Sequence, residues 1–180
     1  MMPQKLKNKN NTRMPNITKT FVVSAVSALM LSACSTIDCP LNNRVYASFR
    51  LAGDMSELSD TLTVSTQRDA ANPDEDTVLI NRLTATDSLS LPMSYTRAED
   101  TFYFEMVQYG TGKTTTDTVW IAKDNLPHFE SVDCNPAMFH TITGVRYTRH
   151  AIDSIKVNNN KVTYNDAKAH FLIYFTQHSY

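Results

Sequence analysis

The chain has 180 residues, enough for one well-buried domain, and its 17 Lys and Arg against 18 Asp and Glu give a formal charge of −1. The balance is uneven: the first 33 residues hold Lys5, Lys7, Lys9, Arg13 and Lys19 and no acidic residue, so residues 34–180 carry 12 basic and 18 acidic side chains, a net −6. That charge excludes the concentrated basic footprint that nucleic acid requires, and it leaves no polybasic patch to hold a membrane.

Behind the basic stretch lies a short apolar run, Phe21–Ala33, of 13 residues. A helix spanning a bilayer needs about 20, so the pattern of positive region, apolar run and small residues is that of a secretory signal helix. Its end, Leu31-Ser32-Ala33-Cys34, resembles the lipobox of bacterial lipoprotein signal peptides. The resemblance implies cleavage before Cys34 and acyl chains, palmitate among them, on its sulfur and amino group. The alternative is a plain signal cleaved after Ala33, with Cys34 an ordinary thiol.

Cysteine usage bears on that choice. There are three cysteines, Cys34, Cys39 and Cys134, and an odd number in an exported chain calls for an explanation. With Cys34 lipidated, Cys39 and Cys134 are left to pair in an oxidising compartment. Only Ser35, Thr36, Ile37 and Asp38 then separate anchor from bridge. Five steps of extended chain reach at most about 18 Å. The domain is expected directly against its membrane, with any partner at or in that membrane.

Strand patterns fill the remainder. Val45, Ala47, Phe49 and Leu51 alternate with polar neighbours, and Thr61–Thr66 is β-branched with Leu62 and Val64 on one side. Ala70–Asp76 reads as a polar turn around Pro73, followed by an extended Thr77–Asn81. Leu89 and Leu91 alternate ahead of Pro92, the mark of an edge or a strand end. Thr101–Tyr109 puts Phe102, Phe104 and Met106 on one face, and Gly110-Thr111-Gly112-Lys113 turns it into the strand Thr116–Ala122. Residues 137–147 form another strand with a possible bulge at Gly144, and Ile152–Val157 and Lys161–Tyr164 flank an Asn turn. The last strand, around Phe171-Leu172-Ile173-Tyr174-Phe175, is apolar on both sides and is expected in the middle of its sheet.

Eight or nine short strands with polar turns predict an all-β domain. An antiparallel β-sandwich, immunoglobulin-like or related, is the leading architecture and a barrel its rival. The expected organisation is a signal peptide over 1–33, an anchor and short tether over 34–40, and the sandwich over 41–180. The lipobox cysteine, the Cys39-Pro40 pair, the late Cys134 in SVDCNPAMFHTI and the closing IDSIKV and FLIYF strands together resemble a Bacteroidota lipoprotein family known as a domain of unknown function. That resemblance spans 34–180, with Asn135 standing where the family favours Gly. It implies an envelope lipoprotein and, further, association with an outer-membrane β-barrel protein, and it supplies no catalytic residues.

Other motifs weigh against specific chemistry. Gly112-Lys113-Thr114 mimics the end of a phosphate-binding loop, but Val107 stands at the required first glycine and a strand follows instead of a helix, so no nucleotide is expected. His128, His140, His150, His170 and His178 lack zinc-protease spacing, and Asp74-Glu75-Asp76 lacks the glycine and alternation of a calcium loop, so no metal or cofactor is expected. There is no Gly-x-Ser-x-Gly elbow, and a Cys–His enzyme would need Cys134 free beside His128 or His140. Trp120, Tyr103, Tyr109 and Tyr147 are candidates for a sugar- or protein-binding surface, although a lone Trp on a strand reads first as core. The reading is a non-enzymatic, lipid-anchored binding or scaffolding module on the outer membrane, facing the periplasm. Its alternatives are a surface glycan-binding lipoprotein and a hydrolase with residues on loops.

Overall fold

The chain divides into two units, Met1–Asp38 and Cys39–Tyr180. A computed structural model describes Cys39 and residues 43–55, 57–69, 72–164 and 167–176, all in the second unit. The expected signal peptide over 1–33 and Cys34 lie outside the described residues, as does His178.

Ten strands form two sheets: β1 (Tyr46–Leu51), β2 (Thr61–Asp69), β3 (Asn72–Leu83), β4 (Ser88–Pro92), β5 (Glu99–Val107), β6 (Thr114–His128), β7 (Ala137–Tyr147), β8 (Ile152–Val157), β9 (Lys161–Val162) and β10 (Phe171–Phe175). The smaller sheet runs β4-β1-β10-β8 and the larger β3-β2-β5-β6-β7-β9, the two layers of a β-sandwich. The period-2 rows point inward as the alternation demands. Ala47, Phe49, Leu62, Val64, Phe102, Phe104, Val119 and Ile121 are all buried. Phe49 stacks on Phe171 of its own sheet (centroids 4.6 Å) and meets the edge of Phe104 from the opposite sheet (5.9 Å). Burial of each such ring contributes about 1.5–3 kcal/mol.

Four expectations are refined. Strand β10 sits between β1 and β8, central as its two-sided apolar pattern requires, but it pairs with β1 in parallel, so the sandwich is not wholly antiparallel. Side-chain alternation reports which face a residue uses and carries no information on strand direction. Residues 72–76, read as part of a turn, open β3 instead. Pro73 is tolerated because β3 is an edge strand, where a missing N–H interrupts no central ladder. Strand β6 runs on to His128, well past Ala122, paired with β7 throughout. The register slips between Ala122 and Lys123, which leaves Thr143 as the extra residue of a bulge beside Gly144. Pro92 both ends β4 and lies on a sheet edge.

The pairing registers give the sandwich two distinct ends. The starts of β1, β5 and β7 and the ends of β4 and β6 lie at one, which also holds the Cys39–Cys134 disulfide. The β5–β6 hairpin and the start of β8 lie at the other. There Gly110 and Gly112 take positive φ (81° and 69°), and the Gln108 N–H donates to the Lys113 carbonyl (2.9 Å). The Gly112-Lys113-Thr114 triplet is thus a hairpin turn followed by strand.

Candidate functional site

The disulfide end joins the start of the unit to the loop between β6 and β7. Cys39 is bonded to Cys134, with Cα atoms 5.4 Å apart, and the Asn43 amide donates to the Asn135 carbonyl (2.8 Å). A closed loop spanning 95 residues is held there. Pairing removes Cys134 as a nucleophile, so the Cys–His arrangement considered from sequence does not exist.

The loop over 129–136 joins β6 to β7 and contains Cys134. Its base is aromatic: His128 stacks on Phe139 (4.1 Å), and Tyr164 meets Phe139 edge-on (5.1 Å). His128 Nε2 lies 3.1 Å from a Glu130 carboxylate oxygen. The Tyr164 hydroxyl is pushed above its usual pKa by desolvation first, then by the nearby Glu130 and Tyr95. Beyond this base the loop turns apolar groups outward, with Phe129 65% and Val132 99% exposed and Leu126 at the end of β6 50% exposed.

Beneath the same end lies a buried polar cluster. The Lys123 ammonium donates to the Ser94 carbonyl (2.8 Å), the Arg97 carbonyl (2.7 Å) and Asn125 Oδ1 (2.8 Å), with Asp100 Oδ2 at 3.6 Å. Asp100 in turn accepts the Ser94 hydroxyl and its backbone N–H (3.1 Å). The Asn125 amide nitrogen donates to the Arg97 carbonyl (3.1 Å), so its Oδ1 is the acceptor for Lys123 and for His140 Nδ1–H (2.9 Å). Burial holds Lys123 below the ordinary lysine range, opposed by the attraction of Asp100. Burial also holds His140 at about 4, with the Lys123 charge adding to the effect. All three ammonium hydrogens are used, so the cluster fastens the 93–98 segment to β6 and presents no nucleophile. A cavity of about 480 Å³ opens beside it, lined by Arg44, Gln67, Met93, Tyr95, Arg97 and Phe102 among others.

The opposite end closes around one carboxylate. Asp117, fully buried, accepts the Thr148 hydroxyl (2.6 Å) and the His150 N–H (2.8 Å) on one oxygen and the Ala151 and Ile152 N–H groups (2.7 and 2.8 Å) on the other. This ties the larger sheet to the start of β8 in the smaller one. A cavity of about 440 Å³ nearby is polar, with Asp60, Gln108, Lys113, Arg149 and His150 in its wall.

The remaining candidates do not converge. Among the described residues no three His, Cys, Asp or Glu side chains are grouped to hold a metal. His170 accepts the Ser48 N–H at Nδ1 (2.9 Å), which places its ring proton on Nε2, 3.1 Å from the Lys161 carbonyl, so it links β1 to β9. The four candidate aromatics do not share one surface. Tyr103 and Trp120 face outward from the larger sheet, Tyr147 packs against the core and Tyr109 is on the β5–β6 hairpin. Trp120 is not core: it is half-buried on the outer face, with the Arg146 guanidinium 4.9 Å above its ring. Asp76 lies on β3 opposite Gln67, so the acidic tract belongs to a strand and not to a calcium-type loop.

Sequence reasoning missed Asp117, Lys123 and Asp100, and weighed His140 only for zinc binding and as a partner of Cys134. The pattern that betrays them is the inward row itself: Asp117, Val119, Ile121 and Lys123 share one face of β6, and Asp100 shares the face of Phe102 and Phe104. A charged residue in step with core positions must be either a break in the pattern or a satisfied buried group.

Comparison with characterised proteins gives no match, and comparison with solved structures gives none either. Residues 61–175, which take in every strand from β2 to β10, match DUF6452, a family of unknown function. The chain belongs to that family.

Proposed function

We propose that this protein is a lipid-anchored, non-enzymatic module of a bacterial cell envelope, held by acyl chains on Cys34 and serving to bind or scaffold a membrane partner. The observation that carries the reading is the Cys39–Cys134 disulfide at one end of the sandwich. It accounts for two of three cysteines and leaves Cys34, the cysteine of the Leu-Ser-Ala-Cys motif, for acylation. The same bridge supports a short tether: an anchor at Cys34 would lie no farther than about 18 Å of chain from Cys39. Outer-membrane residence on the periplasmic side agrees with Ser35 after the acylated cysteine, by resemblance to other lipoproteins of two-membrane bacteria.

A binding role is supported by the use of the buried charged groups. Asp117, Asp100, Lys123 and His140 are all engaged in joining strands and loops. The partner expected is a β-barrel protein in the same membrane. Edge-strand addition suits it poorly, because the four sheet edges are β3, with repeated register shifts, two-residue β9, five-residue β4 ending in Pro92, and six-residue β8. Trp120 with Arg146 on the outer face of the larger sheet offers the residue types that dominate protein contacts.

The test is affinity capture from detergent-solubilised envelopes with the full chain, Cys34→Ala and Trp120→Ala. Cys34→Ala should move from the membrane to the soluble fraction, and both variants should lose a barrel protein captured by the parent chain. A Cys34→Ala variant that stays membrane-bound, or capture unchanged in both variants, contradicts the proposal.

A further inference from the structure

The exposed apolar side chains are unevenly placed. Eight large ones are exposed among the described residues, and only Tyr109 lies on the β5–β6 hairpin at the far end. Phe129 and Val132 are on the β6–β7 loop with Leu126 at the end of β6 before it, and Tyr46 and Tyr95 stand at the same end, at the start of β1 and between β4 and β5. Single exposed apolar residues need no explanation, but two on one loop and a third on the strand that leads into it, over an aromatic base, mark a contact surface.

The covalent structure says what covers it. Cys134 is part of this loop and is bonded to Cys39, and Cys39 follows Cys34 by five residues. An anchor at Cys34 therefore holds Cys39 within about 18 Å of chain from the membrane surface, with the Cα of Cys134 in the loop 5.4 Å from that of Cys39. Tyr46 and Tyr95 at this end and Tyr164 at the base of the loop are of the amphipathic type that settles at the boundary between lipid and water.

We infer that the β6–β7 loop dips Phe129 and Val132 into the interfacial layer of the bilayer that holds Cys34, giving the domain a second, non-covalent membrane contact and a fixed orientation. The inference rests on the acylation proposed above. The lipid class follows from charge. Glu130 and Asp133 flank the apolar residues, and residues 34–180 carry a net −6, so the surface suits zwitterionic headgroups and is repelled by anionic ones. Insertion is shallow, at the depth of about 5–10 Å typical of interfacial apolar faces. With this end held down, the polar cavity lined by Lys113, Arg149 and His150 points away from the membrane.

The experiment uses full-length protein purified from membranes, with the acyl state of Cys34 read by mass spectrometry. A new tryptophan is placed by Val132→Trp or, as the far-end control, Tyr109→Trp, each with Trp120→Phe so that it reports alone. Both proteins are reconstituted into phosphatidylcholine vesicles carrying brominated acyl chains. Tryptophan at 132 should shift to the blue and be quenched at least about twofold more than tryptophan at 109, as an interfacial residue is. Equal quenching at the two positions in an acylated, vesicle-bound protein overturns the inference and leaves the anchor standing. An unmodified Cys34 overturns the anchor and the inference together.

Discussion

The two ends of the sandwich solve the same problem, closing two sheets over a shared core, with different chemistry. At the hairpin end one carboxylate, Asp117, takes four hydrogen bonds, three of them from consecutive backbone N–H groups. At the disulfide end a Lys–Asp pair, an Asn and a His hold a loop by its carbonyls, and a covalent bond ties in the start of the unit. The first end is self-sufficient and polar outside. The second has a staple and leaves Leu126, Phe129 and Val132 exposed, the groups that the proposed membrane contact would cover.

The largest effects are expected from the two closures, beginning at the self-sufficient end. Asp117→Ala strands the buried N–H groups of Ala151 and Ile152, each costing about 1–3 kcal/mol, and a part-buried one of His150, so urea unfolding should show a loss of about 3 kcal/mol or more. A loss below about 1 kcal/mol would mean that water replaces the carboxylate and that the end is not closed by it.

Next comes the staple. Replacing both Cys39 and Cys134 by Ala opens a loop of 95 residues and should cost about 4 kcal/mol in the chain-entropy description. Amide exchange should rise first over residues 128–140 while Ala151 and Ile152 stay protected. Uniform loss of protection would erase the distinction between the ends.

The third effect is acid sensitivity. His140 has a folded-state pKa of about 4 against 6.5 when free, so between those values the unfolded chain binds the extra proton. Stability is therefore fully present above pH 6.5 and declines as pH falls toward 4, by about 3 kcal/mol over the window. In His140→Gln that part of the slope should disappear, and an unchanged slope would assign acid sensitivity to other groups.

The smallest effect belongs to the outer face. Arg146→Ala removes the guanidinium above Trp120 and an exposed ion pair with Glu99, together about 1 kcal/mol or less.

Much of the sandwich was legible because burial imposes a period of two. Phe49, Leu62, Phe104 and Ile173 fall on inward faces wherever the alternation places them, and β7 begins and ends at 137 and 147 as its pattern does. The parallel pairing of β1 with β10 was not legible, because alternation has no direction. The turn at 70–76 was overdrawn since Pro and clustered acids do not distinguish a turn from an edge strand. The disulfide followed from cysteine arithmetic, while the buried Lys123 cluster stayed hidden: its partners, the Ser94 and Arg97 carbonyls, are main-chain atoms without any residue signature.

The proposed anchored orientation of the domain depends above all on the state of three sulfur atoms, which mass spectrometry of the protein taken directly from membranes reads in one pass. The account predicts an N-terminal peptide that begins at Cys34, carries acyl chains, and is joined through Cys39 to the peptide containing Cys134. A peptide beginning upstream, an unmodified Cys34, or Cys39 and Cys134 recovered as free thiols would contradict it.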